Sequence, residues 1–205
     1  MTSRRAFIVA TAATAAEVAP PRTASSAGPY DFAAIAAQFA RSARHRQVFA
    51  IARVADGSPL GQMWHALDAY EKTLGEGPGA AHLAAVFYGR GVILGLDDSA
   101  WRAYGLAEAA RRRGETLTAT ADGNPFASEL AALAKRGVSF FVCDNALDDW
   151  ATYAVVVQGA GQSSVEQVRD DLRRRVVPSA LLVPAGVVAL NQAQEARFTY
   201  VQGSL

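Results

Sequence analysis

A single thiol is the most reactive side chain in this sequence. Cys143 is the only cysteine, and it closes the apolar run Gly137-Val138-Ser139-Phe140-Phe141-Val142 before the chain turns polar at Asp144-Asn145. A lone thiol can act as a nucleophile or carry a sulfur atom, and it has no second thiol in the chain to resolve it as a disulfide. A second candidate stretch is Tyr88-Gly89-Arg90-Gly91, where two glycines permit converging backbone amides and one guanidinium is placed for an anion. The three histidines, His45, His65 and His82, are scattered without metal-ligand spacing, and one cysteine excludes a multi-cysteine metal site. The Gly-x-Gly lacks the third glycine and the distant acid of a dinucleotide fingerprint. Neither a metal nor an organic cofactor is expected.

The elements that must position these residues follow from hydrophobic periodicity. The run ending at Cys143 reads as a buried strand with the thiol at its carboxyl end. Before it, Asn124 as cap, Pro125 in the first turn, and Phe126, Leu130 and Leu133 at helical spacing predict a helix that ends at Lys135-Arg136 with Gly137 beyond. The first strand is predicted over Gln47–Val54 and the second over His82–Tyr88, which hands the chain to Gly89-Arg90-Gly91. Between them, Leu60, Met63, Trp64, Leu67, Tyr70 and Leu74 share one helix face, while His65, Asp68 and Lys72 share a polar one. Asp97-Asp98-Ser99 caps a helix predicted to run to Arg111-Arg112-Arg113, with Trp101 and Tyr104 inward. The stretch 115–122 reads as a polar loop or edge strand, and 148–161 as irregular. Ser164 and Gln167 form a capping box, Ser179–Pro184 a fourth strand, Ala185-Gly186 the start of a short helix through Leu190, and Phe198–Val201 a fifth strand. Strands alternating with helices predict a three-layer α/β/α sandwich on a five-stranded, mostly parallel sheet. In such sheets ligands gather beyond the carboxyl ends of the strands, where Cys143 and the glycine turn are both placed. Free cysteine is also among the most buried residue types, so this stretch alone is equally that of a packed thiol.

Composition narrows the function classes. With 205 residues there is room for one domain and a leader, and a net charge of +1 gives no overall field for nucleic acid or membrane. The triple arginines at 111–113 and 173–175 complement helix ends and lack the interleaved aromatics of a nucleic-acid face. Residues 1–16 carry Arg4-Arg5, an Ala/Thr-rich apolar run and no acid before Glu17, a pattern that resembles a twin-arginine export signal and is too short for a permanent span. Residues 17–29 are a proline-rich linker by composition, 30–43 an amphipathic helix with Phe32, Ile35 and Phe39 on one face, and 44–205 the main domain. Localisation is therefore expected to be periplasmic or secreted.

Several of these residues together resemble the DsrE/DsrF-like family of small sulfur-relay proteins, in particular its exported members. The likeness rests on His45-Arg46-Gln47-Val48-Phe49, Tyr88-Gly89-Arg90-Gly91, Asp97-Asp98-Ser99-Ala100-Trp101 and Asn124-Pro125-Phe126. It continues through Cys143-Asp144-Asn145-Ala146-Leu147, Leu182-Val183-Pro184-Ala185-Gly186-Val187, Gln194-Glu195 and Tyr200. It covers roughly residues 44 to 202. The resemblance implies a five-stranded parallel sandwich that assembles as a homo-oligomer, a trimer or hexamer, with Cys143 holding sulfur as a persulfide. Two positions depart from the family pattern: Tyr88 stands where relatives often have histidine, and Ala196-Arg197-Phe198 replaces a glycine-aromatic ending.

The chemistry expected on that basis is transfer of a sulfane sulfur to and from Cys143. Asn145 is placed to hydrogen-bond the persulfide, and Tyr88, Gly89, Arg90 and Gly91 to receive an anionic donor. Asp144 opposes a thiolate by like charge, while Arg90 or a helix N-terminus beside the sulfur favours one. The alternative is a non-enzymatic oligomer that binds a small anion and packs Cys143 as core. A Cys-His hydrolase is disfavoured, because no histidine is placed at the carboxyl end of a strand.

Overall fold

The computed structural model describes residues 28–120, 122–159 and 163–204, so the leader and all but the last two residues of the linker lie outside the described residues. The chain begins with α1 (Phe32–Ala40) and then alternates: β1 (His45–Ile51), α2 (Ser58–Asp68), β2 (Ala81–Phe87), α3 (Asp98–Ala103), α4 (Leu106–Arg112), α5 (Ala127–Lys135), β3 (Ser139–Cys143), α6 (Asp144–Val156), α7 (Val165–Arg174), β4 (Ala180–Val183), α8 (Gly186–Glu195) and β5 (Thr199–Gln202). The five strands form one sheet in the order β4-β3-β2-β1-β5, and every pairing is parallel. This is the three-layer α/β/α sandwich that the alternation predicts. No helix among the described residues is long and apolar enough to cross a membrane.

Side-chain alternation divides the sheet between two cores. Phe49, Ile51, Leu83, Ala85, Phe87, Phe140 and Val142 face the larger one, which α2 to α7 cover with Leu60, Met63, Trp101, Leu133, Leu147 and Trp150. Val48, Ala50, Ala84, Val86 and Phe141 face a smaller core closed by Ile35 and Phe39 of α1 and by Ala189, Leu190 and Ala193 of α8. Each fully buried Phe or Leu contributes about 1.5–3 kcal/mol by leaving water. Near-continuous apolar strands are therefore required here, since both faces are dry.

Several boundaries differ from the sequence reading, each for a local reason. The stretch 148–161 is not irregular throughout: its residues up to Val156 belong to the thirteen-residue helix α6, in which Leu147, Trp150, Ala151 and Ala154 are buried at helical spacing, and 160–161 lie outside the described residues. Its acidic start hides that period, because Asp144, Asp148 and Asp149 interrupt the apolar positions. The helix expected from Asp98 to Arg113 breaks into α3 and α4 at Gly105, which takes φ +52°, a left-handed conformation that glycine adopts cheaply. β1 stops at Ile51, short of Val54. The fifth strand begins at Thr199, and α8 runs past Leu190 to Glu195. The glycine turn after Tyr88 winds on as a 3₁₀ segment, Gly89–Gly95. Asn124 does not cap α5 directly. Its Oδ1 accepts from Phe126 N–H, its amide donates to Leu94 and Leu96 carbonyls, and the helix starts at Ala127. No strand forms in the described part of 115–122.

Candidate functional site

The last residue of β3 brings its sulfur to the start of a helix. Along β3, alternate residues turn to the α1/α8 face: Ser139 Oγ donates to Gln38 Oε1 at 2.7 Å, and Phe141 stacks on Phe39 with centroids 4.7 Å apart. Cys143 follows them, and its Sγ accepts the backbone N–H of Gly186 at 3.1 Å. Gly186 is the first residue of the ten-residue α8, so the donor is one of the amides a helix leaves without an intrahelical partner. The thiol is 5% exposed.

Glycine is required at that position. A Cβ on residue 186 stands 2.7 Å from Tyr88 Cβ and 3.3 Å from Cys143 Cβ, which leaves no room for a side chain. Tyr88, Cys143 and Gly186 thus interlock beyond the carboxyl ends of β2, β3 and β4. Burial pushes the Tyr88 hydroxyl pKa up, and the nearby Tyr200 adds to it. Asn145 is exposed in the first turn of α6, and its backbone N–H donates to Pro184 O at 3.4 Å.

The glycine turn stands at the same edge but serves a different contact. Gly91 N–H donates to Ala52 O at 2.9 Å, and a Cβ there falls 2.6 Å from Ile51 O, so the close strand crossing demands glycine. Arg90 pairs with Glu115 at 3.5 Å and makes no bond to the thiol. Of the two groups expected to favour a charged sulfur, the helix start is the one that meets it. Tyr88, Cys143 and Asn145 cluster at the ends of β2 and β3, and Arg90 belongs to a neighbouring group of arginines.

Asp144, the residue expected to oppose the sulfur by its charge, is itself neutralised. Its side chain is fully buried, and Oδ2 accepts from Arg169 Nη2, Arg173 Nη2 and Tyr30 Oη, each at 2.6 Å, while Oδ1 accepts from Arg173 Nε at 2.8 Å. Burial pushes this carboxyl up, but the bonds from Arg173, Arg169 and Tyr30 outweigh it and hold it at about 2. One carboxylate thus ties α7 and the segment before α1 to the residue next to the thiol. The sequence signal was available: Arg169 and Arg173 lie four apart on one face of α7, too many cations for a face that also buries Val168 and Leu172.

A second buried polar group lies at the opposite, amino edge. His82 Nε2 and Ser139 Oγ are 2.9 Å apart, and Arg41 Nη1 donates to Gly137 O at 3.0 Å. Nε2 also lies 3.4 Å from Arg41 Nη1, the serine hydroxyl donates onward to Gln38, and Nδ1 is buried with no partner among the described residues. Burial, with the Arg41 and Arg46 charges behind it, lowers the His82 pKa to about 4. This histidine starts β2, far from the strand end a Cys-His pair requires. Among the described residues no group of three or more His, Cys, Asp or Glu side chains is arranged to hold a metal ion.

Fold and site together define a parallel α/β/α protein with one thiol at the carboxyl edge of the sheet, seated on a helix start. No family model matches the chain, and no curated protein matches it. Among solved structures it is similar to a protein of unknown function, MTH1491, from Methanobacterium thermoautotrophicum, with 15% sequence identity, a TM-score of 0.44, and coverage of 77% of this chain and 98% of that one.

Proposed function

We propose that this protein is an exported, DsrE/DsrF-like sulfur carrier that holds a sulfane sulfur on Cys143 and works as a homo-oligomer, a trimer or hexamer. The observation that carries the reading is the Gly186 N–H aimed at Cys143 Sγ at 3.1 Å, at the sheet edge where α/β proteins place their ligands. In the loading step the Cys143 thiolate attacks the outer sulfur of a donor persulfide such as glutathione persulfide. The donor S–S bond breaks, glutathione thiolate leaves, and Cys143–S–SH forms, the proton staying on the transferred sulfur. Unloading is the same exchange run onto an acceptor thiol, so no external oxidant or reductant is consumed. Gly186 N–H meets Sγ, the sulfur that carries the negative charge in the thiolate, Tyr88 forms one wall, and Asn145 stands at the exposed rim.

The second reading is a binding or assembly protein in which Cys143 is core, and the 5% exposure of the thiol favours it. Alkylation separates the two. A carrier must open to its donor, so iodoacetamide labels native Cys143 irreversibly, and after persulfide loading the label sits on the outer sulfur and is released by dithiothreitol. Labelling that occurs only after denaturation contradicts the carrier.

A further inference from the structure

We infer that the pocket between the ends of β1 and β2 and the side of α6 is a binding site for a compact tetrahedral oxyanion, held by Arg53, Arg90 and Arg113. The pocket measures about 340 Å³ and is lined by Ala52, Arg53, Gly89, Arg90, Arg113 and Asp149. At about 30 Å³ per water, that is a space on the order of ten water volumes, enough for such an anion with part of its hydration.

Charge and burial decide the sign of the ligand. Three guanidinium groups share two carboxylates, so one positive charge is left over. Glu115 is enclosed beneath the pocket with its side chain fully buried, and Oε2 is already engaged by Val54 N–H at 2.8 Å. Above it, Arg53 reaches Glu115 Oε1 at 3.2 Å and Gly114 O at 2.7 Å, and Arg90 reaches the same Oε1 only at 3.5 Å. Their side chains are 39% and 44% exposed, so an approaching solute meets guanidinium before carboxylate. Asp149 is the one exposed acid at the rim, and it is paired with Arg113. Arg113 forms the third cationic wall. Its guanidinium lies over Trp150 at 4.4 Å and Tyr153 at 5.0 Å, and its Nη1 is buried with no partner among the described residues. The rings hold the guanidinium in place, so Arg113 keeps a fixed positive charge at the pocket wall.

This site extends the anion role expected of Arg90 to a pocket that Arg53 and Arg113 complete, and it does not depend on sulfur chemistry at Cys143. The test is calorimetric titration of the full chain with sodium sulfate, phosphate and thiosulfate at constant ionic strength, with chloride as the reference. The site predicts saturable binding of at least one of the three. Arg90→Gln leaves Glu115 held by Arg53 and Val54, so the fold survives. Loss of one charged bond weakens affinity about tenfold or more. Arg53→Gln weakens it likewise. Arg112→Gln, an exposed arginine paired with Glu108 outside the pocket, binds as the wild type does. Cys143→Ser also binds unchanged. Heats no different from chloride for all three anions, or equal affinity in Arg90→Gln and wild type, overturn the inference. Sulfate binding without sulfur uptake removes the carrier and keeps this site, and sulfur uptake without anion binding does the reverse.

Discussion

The amide of Gly186 and the sulfur of Cys143, 43 residues apart in sequence, meet at 3.1 Å because β3 and β4 are parallel neighbours and α8 begins where β4 ends. Gly186→Ala inserts a methyl group against Tyr88 and Cys143, and overpacking of this kind costs about 1–3 kcal/mol. The urea midpoint falls accordingly. Sulfur uptake at Cys143 slows with it, since the N–H is pushed off the sulfur. Unchanged uptake kinetics in a folded Gly186→Ala protein would show that the contact is incidental to the chemistry.

Asp144 holds two arginines that have no other buried counterion of its quality. Asp144→Asn leaves them facing a neutral amide, a loss on the order of 3 kcal/mol for breaking a buried pair. The same carboxylate sets an acid limit. In the unfolded chain it titrates near 3.8 and in the folded chain near 2, so the unfolded state takes up the proton first as pH falls. Stability on the order of 2 kcal/mol, present above about pH 4, is lost as pH drops through about 2. Urea midpoints measured from pH 5 to pH 2 slope less steeply in Asp144→Asn than in wild type.

His82 acts in the window above. Folded, it takes its proton only near pH 4, whereas the unfolded chain does so near 6.5, so between those values the unfolded state binds more protons. Stability therefore declines as pH falls from about 6.5 to about 4, and the loss is complete below. His82→Gln stays neutral and keeps a polar partner for Ser139, so it flattens that part of the profile. Parallel profiles for the two proteins would show that the unfolded-state proton is matched elsewhere.

Tyr30 ties the segment before α1 to the same carboxylate through a single 2.6 Å bond. Tyr30→Phe removes one hydrogen bond to a charged group and leaves both arginines in place. The expected loss is about 1–2 kcal/mol in chemical denaturation, smaller than for Asp144→Asn. An equal or larger loss would mean that the ring, packed near Phe32 at 5.7 Å, carries the contact instead.

The parallel sandwich was legible because its strands are short apolar runs and its helices, apart from α6, keep clean periods. α6 was missed since Asp144, Asp148 and Asp149 mask Leu147, Trp150 and Ala154, and an acid is read as solvated until its partner is known. Cys143 was placed correctly at a strand end, but its neighbour was not readable. Gly186 donates through its backbone, which no side-chain motif encodes, and Arg90 is drawn off by Glu115, which the sequence presents only as the start of a polar loop. The inversion at Asp144, from an expected repulsive charge to a neutralised one, depends on Tyr30, Arg169 and Arg173 converging from two distant segments.

The measurement that tests the carrier most directly is the intact mass of the protein after exposure to glutathione persulfide, beside Cys143→Ser. A carrier gains about 32 Da, one sulfur atom, on the wild type alone, and a thiol acceptor such as dithiothreitol removes it. An unchanged mass, or the same gain on Cys143→Ser, would contradict it.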